Sequence, residues 1–323
     1  MPNILKKLNS FTAMRVKYGS YAVIASGSSA ALGAGYFGGG YDTARISGID
    51  KITFPADTKT TLSATLTSAR FRVTGMANSG VAGYFGGGND GAMLNGIDKI
   101  TFPADTKTTL SATLTTGLQV VTGMANSTVA GYFGGGEDGV VYFSGIDKIT
   151  FPADTKTTLS ATLTTARGFA AGMANSGVAG YFGGGYGVSA LSGIDKITFP
   201  ADTKTTLSAT LTSAAYNLAG MANSGVAGYF GGGYGGIELS GIDKITFPAD
   251  TKTTISATLT TGLDGVSGMA NSGVAGYFGG GNNSGTFTDR IDKVTFPADT
   301  KTTISATLTT ARQGFAGMAD GGV

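Results

Sequence analysis

The strongest constraint in this sequence is a repeat with a period of 48 or 49 residues. The string Gly-Tyr-Phe-Gly-Gly-Gly begins at Gly35, Gly83, Gly131, Gly180, Gly228 and Gly276. Each copy continues through an Ile-Asp-Lys string into Phe-Pro-Ala-Asp-Thr-Lys-Thr-Thr. Repeats of this length indicate supersecondary units that bury their apolar surfaces against their neighbours. Six such units account for nearly all of the chain after residue 30.

Each copy contains patterns that are typical of short strands, and none shows a helical period. In the second copy we predict strands at 74–77, 81–85, 96–102 and 109–116. The last of these rests on the alternation of Leu110, Ala112 and Leu114 with Ser and Thr. Turns are predicted at 78–80 (Asn-Ser-Gly) and at 103–107 (Pro-Ala-Asp-Thr-Lys), because these residue types favour turn geometry.

Four short antiparallel strands in each of six copies predict an all-β fold, a six-bladed β-propeller. One blade buries little apolar surface alone, whereas a closed ring packs each blade between two others. A β-solenoid is the competing architecture, but solenoids usually pair their strands in parallel, and the hairpin turns here indicate antiparallel pairing. We predict two parts, an N-terminal segment at 1–30 and the propeller at 31–323.

The two ends of the chain predict how the ring closes. The last copy stops at 317–323, where the other copies continue into Gly-Tyr-Phe, and the first Gly-Tyr-Phe lacks a preceding Met-Ala-Asn string. We expect residues near 312–323 to complete the first blade beside strands that begin near Gly33, because closure by both termini removes a free edge. Residues 21–26 also have the pattern of a strand and are an alternative for that position.

The composition excludes several kinds of catalytic and metal site. The chain has no Cys, no His and no Trp, which removes thiolate and imidazole metal ligands and any Ser-His-Asp relay. Nothing in the sequence assigns any pair of carboxylates to glycosidase chemistry. We therefore predict a protein that is not an enzyme and that uses no metal or cofactor.

Charge is sparse and mostly balanced within each copy. The net charge is only +2. The sequence has no sustained basic stripe, so we predict no nucleic-acid partner. No apolar run is long enough to predict insertion into a membrane. The repeated pairs, such as Asp98 with Lys99 and Asp105 with Lys107, are expected to be solvated pairs and turn caps that contribute little.

The repeats resemble kelch-type repeats. Gly-Tyr-Phe-Gly-Gly-Gly takes the place of the kelch double glycine, and Thr-Ala-Arg at 165–167 and 310–312 takes the place of the blade end. The resemblance covers residues 31–323 and departs from ordinary kelch proteins in lacking Trp and in its near-verbatim copies. It is closest to the glycine-rich kelch-like proteins of bacteriophages and cyanobacteria. This resemblance implies a propeller, and a role in a virion or at a surface.

Comparison of the six copies separates uniform connections from variable ones. The turns between the first and second strands and between the third and fourth are nearly the same in every copy. The connections between the second and third strands, and between one blade and the next, differ in every copy. Strand direction places the variable connections on one face of the ring, which we call the variable face, and the uniform turns on the other. Recognition usually resides in loops on a rigid scaffold; the alternative is that these loops vary because nothing constrains them.

The candidate binding residues of the variable face are aromatic, amide and arginine side chains, which suit a sugar or a protein surface. They are Tyr41, Arg45, Arg70, Phe71, Arg72, Asn89, Tyr142, Tyr186, Tyr216, Tyr234, Asn282 and Phe287. A second candidate set is basic and lies in the N-terminal segment, where it is predicted to dock to a particle or, alternatively, only to keep the segment soluble. It comprises Lys6, Lys7, Arg15 and Lys17.

Together these patterns favour a structural or binding component of a phage virion, in a tail, fibre or other appendage. Its variable face would meet another virion protein, or a protein or glycan of the host surface, and further copies of the chain are expected within a larger assembly. We recognise no export signal in the sequence, which fits assembly in the host cytoplasm. The alternative is a soluble, lectin-like propeller of a bacterium, in its cytoplasm or at its surface.

Overall fold

Short extended segments, interrupted by glycine-rich and Pro-containing turns, give each copy of the repeat four strands. A computed structural model of the chain describes residues 33–320, which form six sheets of four antiparallel strands arranged as a β-propeller. The predicted fold class is therefore confirmed. In blades 2 to 6 the strands follow one another outward from the propeller axis in chain order, whereas the innermost strand of blade 1 is the last strand of the chain.

The strand bounds repeat from blade to blade. Blade 1 contains β1 (Ala34–Gly38), β2 (Ile49–Thr53) and β3 (Thr58–Thr61). Blade 2 contains β4 (Thr74–Asn78), β5 (Ala82–Gly86), β6 (Ile97–Thr101) and β7 (Thr106–Thr109). Blade 3 contains β8 (Thr122–Asn126), β9 (Ala130–Gly134), β10 (Ile146–Thr150) and β11 (Thr155–Thr158). Blade 4 contains β12 (Ala171–Asn175), β13 (Ala179–Gly183), β14 (Ile194–Thr198) and β15 (Thr203–Thr206).

The last two blades follow the same plan. Blade 5 contains β16 (Ala219–Asn223), β17 (Ala227–Gly231), β18 (Ile242–Thr246) and β19 (Thr251–Thr254). Blade 6 contains β20 (Ser267–Asn271) and β21 (Ala275–Gly279), then a small hairpin of β22 (Asn282–Asn283) and β23 (Thr286–Phe287), then β24 (Ile291–Thr295) and β25 (Thr300–Thr303). The final strand, β26 (Ala316–Ala319), belongs to blade 1.

Closure by strands from both ends is confirmed by the pairing of β26 with β1. The two strands are antiparallel, with Gly35 opposite Ala319 and Gly38 opposite Ala316. The alternative strand at 21–26 lies outside the described residues. Closure leaves the innermost position of blade 1 filled by the last strand of the chain, so that this blade has four strands like the other five.

The predicted outer strand of each blade was placed wrongly. In blade 2 the strand is β7, which pairs with β6 so that Thr109 lies opposite Asp98. Residues 110–116 lie outside the sheet, with bends at 111 and 115–116, and Leu114 is 2% exposed in a core cluster with Tyr84 and Phe133. The alternating pattern that suggested a strand thus reflects the burial of leucines between blades, because an extended segment alternates its side chains whether or not it is paired.

A ring of glycines holds the inner strands close together at the axis. The six glycines are Gly75, Gly123, Gly172, Gly220, Gly268 and Gly317, one in the inner strand of each blade. A Cβ on any of them would lie within 3.0 Å of the carbonyl oxygen of the equivalent glycine on the preceding blade. Gly75 meets Gly317 in the same way, which closes the ring. Only a residue without a side chain permits this approach.

The repeated charged residues join neighbouring blades, so the expectation that they are solvated pairs was wrong. Asp105, held at φ 55° in its turn, accepts a hydrogen bond from the Tyr36 hydroxyl at 2.8 Å and pairs with Lys51 Nζ at 2.7 Å. Both partners belong to blade 1, and the equivalent bonds recur at each of the six junctions.

Asp98 and Lys99 are adjacent in the sequence, but Asp98 pairs with Arg70 at one junction and Lys99 pairs with Asp154 at the next. Lys107 differs, because it lies 3.3 Å from Asp98 of its own blade.

A second repeated carboxylate is buried at the same junctions. Asp98 is 1% exposed and accepts bonds from the backbone N and Oγ1 of Thr67, at 2.8 and 2.6 Å, and from Arg70 at 3.0 Å. Burial alone would raise the pKa of Asp98, but these bonds and the arginine charge hold that pKa below its usual range. The equivalent Asp50 accepts from Thr309 and Arg312 across the closure of the ring.

We predict that Gly172→Ala destabilises the ring, because its Cβ would collide with the backbone carbonyl of Gly123. Overpacking of this kind costs about 1–3 kcal/mol, and a rigid carbonyl cannot move aside as a flexible side chain can. The measurement is the free energy of unfolding from urea titration. Gly193→Ala is the control, because nothing lies within 4 Å of a Cβ there. Equal unfolding free energies for the two variants would contradict the axial glycine ring.

We also predict that Tyr36→Phe costs about 1–2 kcal/mol, because it leaves a part-buried oxygen of Asp105 without its donor. Burial and Asp105 both raise the pKa of Tyr36, so its hydroxyl remains a donor at neutral pH. Tyr41→Phe serves as the control, since no hydrogen bond of the Tyr41 hydroxyl is found among residues 33–320. A Tyr36→Phe ring as stable as the control would show that the junction does not depend on this bond.

Candidate functional site

The two kinds of variable connection meet on one face of the ring, as strand direction predicted. In every blade, a residue between blades pairs through its backbone with a residue that follows the triple glycine. The pairs are Gln313 with Tyr41, Phe71 with Asn89, Gln119 with Glu137, Gly168 with Tyr186, Tyr216 with Tyr234, and Asp264 with Asn282. The uniform turns contact one another elsewhere, for example through Ser79 N and Ser127 Oγ at 3.0 Å.

A closed ring of backbone hydrogen bonds surrounds the axis beside these pairs. Its members follow the paired residues by one position and are Arg72, Val120, Phe169, Asn217, Gly265 and Gly314. The N–H of each donates to the carbonyl oxygen of the equivalent residue on the preceding blade, at N–O distances of 2.5–3.1 Å. All six have φ between 52° and 61°, the left-handed region. We call these six residues the left-handed ring.

Three members of the left-handed ring carry bulky side chains in a conformation that favours glycine. Arg72, Val120 and Phe169 occupy the same position as Gly265 and Gly314, which adopt it without a Cβ penalty. The left-handed conformation costs other residues about 1–2 kcal/mol each. The rest of the ring imposes the backbone, so these side chains are held at the axis despite that cost.

One group of aromatic side chains lies on the side of blades 3, 4 and 5. Tyr186 packs edge-to-face against Tyr142 and Tyr216, with ring centroids 6.1 and 5.2 Å apart. Tyr216 also contacts Phe169 at 6.0 Å and Tyr234 at 5.6 Å. These five rings form a continuous aromatic surface, which we call the aromatic wall.

A smaller aromatic group lies on the side of blades 1 and 6, and an arginine joins it to the aromatic wall. Tyr41 contacts Phe71 at 5.5 Å and Phe287 at 6.3 Å. The guanidinium of Arg72 lies 5.0 Å from the centre of the Phe71 ring and 5.1 Å from that of Phe169. Cation–π contacts on two rings fix this arginine.

These groups surround a cavity of about 440 Å³, which we call the mouth. Its aromatic side is lined by Phe71, Arg72, Tyr142, Phe169, Tyr186 and Tyr216. Its other side is polar and is lined by Asn217, Asp264, Gly265, Asn282, Gln313 and Gly314. The mouth therefore has two chemically different walls. Its volume is within the range of small-molecule sites.

Asp264 is the most unusual polar residue of the mouth. Its Oδ1 atom is buried and has no hydrogen-bond partner among the described residues. Burial raises the pKa of Asp264, the side chains of Asn282 and Asn217 act in the opposite direction, and the charge of Glu238 raises that pKa further. The unpartnered oxygen is closed off from solvent, so Asp264 contributes a buried negative charge beside the mouth rather than an accessible acceptor.

The structure divides the twelve candidate binding residues into three groups. Those that line the mouth are Phe71, Arg72, Tyr142, Tyr186, Tyr216 and Asn282. Those that lie beside it on the same face are Tyr41, Arg45, Asn89, Tyr234 and Phe287. Arg45 approaches both groups, because it donates to Asn89 Oδ1 at 3.1 Å and lies over Phe71.

The assignment of Arg70 to the binding surface was wrong. Arg70 is 2% exposed and is paired with Asp98 inside the junction of two blades, as are Arg167 and Arg312 at their own junctions. Neighbouring residues of an extended chain point in opposite directions, so Arg70 faces inward where Phe71 faces the mouth. The candidate docking residues Lys6, Lys7, Arg15 and Lys17 lie outside the described residues.

Sequence reasoning missed Asn217, Asp264 and Gln313 as lining residues of the mouth. An alignment of the six connections between blades would have found them, because each occupies one of two adjacent positions in its copy. What no alignment shows is that these two positions surround the axis. That follows from the left-handed ring, which turns the chain at this point in every blade.

Clusters of acidic metal ligands and membrane-spanning helices are both absent from the residues that the structure describes. Among residues 33–320, no group of three or more Asp or Glu could hold a metal ion. The same residues include no helix that could cross a lipid bilayer.

Fold and site together define a six-bladed β-propeller with an aromatic, polar-sided cavity at the axis of its variable face. No protein-family model matches the chain, and no curated protein matches its sequence. The resemblance to kelch-like repeats therefore stays a prediction.

We predict that Asp264→Asn stabilises the ring at neutral pH, because it removes a buried charge. A carboxyl with a raised pKa in the folded state binds its proton more tightly there than in the unfolded chain, so folding is favoured as the pH falls. The stability gained by Asp264→Asn should therefore decrease as the pH falls through the raised pKa of Asp264. Denaturant midpoints measured from pH 7 to pH 4 test this, with the exposed Asp90→Asn as control. A variant less stable than the native chain at pH 7 would contradict the prediction.

Proposed function

We propose that this protein is a non-enzymatic binding protein of a phage virion, in a tail, fibre or other appendage. In this proposal the variable face binds another virion protein, or a protein or glycan of the host surface. The single observation that carries the binding role is the mouth, where aromatic, amide and arginine side chains from different blades converge on one cavity.

The rigidity of the ring supports a recognition role for this face. The variable connections are paired in every blade, and the left-handed ring fixes their inner ends. Loops that are already ordered lose little conformational entropy on binding. The mouth is therefore preorganised, which favours capture of a partner.

The placement in a virion rests on the resemblance to glycine-rich kelch-like repeats and on the near-verbatim copies. A lectin-like propeller of a bacterium is the second candidate, because aromatic rings beside Asp, Asn and Gln suit a sugar as well as a protein. Both candidates use the same face and differ in where the protein acts.

The test of this proposal uses virions of the phage that encodes the chain. We expect mass spectrometry of purified particles to detect the protein at a fixed copy number. Particles that carry Tyr186→Ala with Tyr216→Ala should assemble but adsorb to host cells at least tenfold more slowly. Thr205→Ala, an exposed change on the outer strand of blade 4, is the control. Absence of the chain from purified particles would overturn the virion assignment, and normal adsorption of the double variant would overturn the role of the face.

A further inference from the structure

We propose that a cavity at the junction of blades 4 and 5 binds an alkylguanidinium group, the group that ends an arginine side chain. The cavity has a volume of about 90 Å³ and lies beside Ala215; we call it the junction cavity. It shares no lining residue with the mouth, and the inference is independent of the proposed function. It depends on three arginines at other junctions, on the residues that line the cavity and on access from solvent.

Three of the six junctions bury an arginine whose guanidinium binds the same kinds of acceptor. Arg70, Arg167 and Arg312 occupy equivalent positions and are each 2–3% exposed. One terminal nitrogen of each lies 2.7–3.1 Å from a carboxylate oxygen of the buried aspartate on the following blade, and 3.1–3.3 Å from a phenylalanine carbonyl oxygen. The other terminal nitrogen of Arg167 donates to the carbonyl oxygens of Gly184 and Gly193. The fold therefore contains a guanidinium site at these junctions.

The junction of blades 4 and 5 keeps this site but lacks the arginine. Ala215 takes the place of Arg167 in its copy, and its side chain is too short to reach the acceptors. At the two other junctions without arginine, Leu118 and Leu263 pack into core clusters instead. The equivalents of the four residues to which Arg167 donates all line the junction cavity, and they are Phe230, Gly232, Gly241 and Asp243.

The carboxylate of Asp243 has an acceptor position that no arginine fills. Thr212 N donates to its Oδ2 atom at 2.7 Å. The equivalent oxygen of Asp195 accepts from a threonine N and also from Arg167 at 2.7 Å, since a carboxylate oxygen can accept two hydrogen bonds. Lys252 approaches the other oxygen of Asp243, Oδ1, at 3.2 Å. The lysine therefore does not take the position that the arginine fills elsewhere.

The junction cavity is accessible from solvent. Thr212, Ser213 and Gly241 line it and are exposed. The side chain of Asp243 is 11% exposed, whereas the side chains of the aspartates paired with arginine are 1–2% exposed; these are Asp50, Asp98 and Asp195. A ligand can thus approach the carboxylate where the buried arginine would otherwise cover it.

The acceptors favour a guanidinium over other organic cations. A guanidinium is planar, presents its N–H donors in a fixed fork and is weakly hydrated, whereas an ammonium is a compact and strongly hydrated charge with three donors. Arg167 shows that four acceptors around one plane can be used together. One of the four is ionised, and hydrogen bonds to an ionised acceptor are roughly twice as strong as those between neutral groups.

The test is calorimetric titration of the purified full-length chain with methylguanidinium and, separately, with methylammonium. We expect one saturable site for methylguanidinium, and methylammonium should bind about tenfold more weakly or not at all. Ala215→Arg should abolish the binding, because its own guanidinium would fill the cavity. Leu218 leaves room for it, since Arg312 lies beside the larger Phe315 at the equivalent place. Ala214→Arg adds the same charge at an exposed neighbour outside the cavity and should change the affinity less than twofold.

Arg167→Ala provides a second measurement, because it empties the equivalent site at the junction of blades 3 and 4. This variant should bind two methylguanidinium ions where the native chain binds one. The ligand should also raise its urea midpoint by more than it raises that of the native chain, since a ligand that binds only the folded state stabilises it.

The inference is overturned if the native chain shows no saturable binding of methylguanidinium, if methylammonium binds as tightly, or if Ala215→Arg binds with unchanged affinity. A Gly-Arg-Gly peptide with blocked ends distinguishes two sources of the group. Competition by this peptide would identify the ligand as an arginine side chain of a partner protein. Binding of methylguanidinium without such competition would identify it as a small free molecule that carries the same group.

Discussion

The close approach of six inner strands at the axis is the constraint on which the rest of this structure depends. At each junction a glycine faces the carbonyl oxygen of its equivalent on the neighbouring blade, and no side chain could be added there without moving a strand. The contact of Gly75 with Gly317 places the last strand, β26, beside the inner strand of blade 2 and so completes the circle of inner strands. It also brings the connections of six blades near enough to share one cavity.

Polar contacts between blades give the ring its regular geometry. Buried carboxylates such as Asp98 and turn carboxylates such as Asp105 each accept bonds from the blade before them. A buried charge is tolerated only when it is paired and hydrogen-bonded, so each junction constrains the relative position of two blades. The repeated part of the sequence is thus accounted for by repeated contacts, and the variation is confined largely to the face that carries the mouth.

The mouth shows features that the ring itself does not require. Glycine suffices at the left-handed ring in two blades, yet Arg72 and Phe169 occupy equivalent positions at a cost in backbone strain. Asp264 keeps an unpaired oxygen in a buried place. Strained backbone and unsatisfied polar groups often mark functional sites, and here both occur in one cavity.

The sequence by itself determined the six blades, their uniform and variable faces and the closure of the ring, because these follow from the period, the turn residues and the direction of each strand. Tertiary structure alone decided which residues form the site. Arg70 and Phe71 are equally plausible in the sequence, but the alternation of an extended chain sends one into a junction and the other into the mouth. Asp264 has no distinctive signal in the sequence either, because what distinguishes it is its burial among residues of other blades. Those contacts are set by the closed ring, and no single copy of the repeat can specify them.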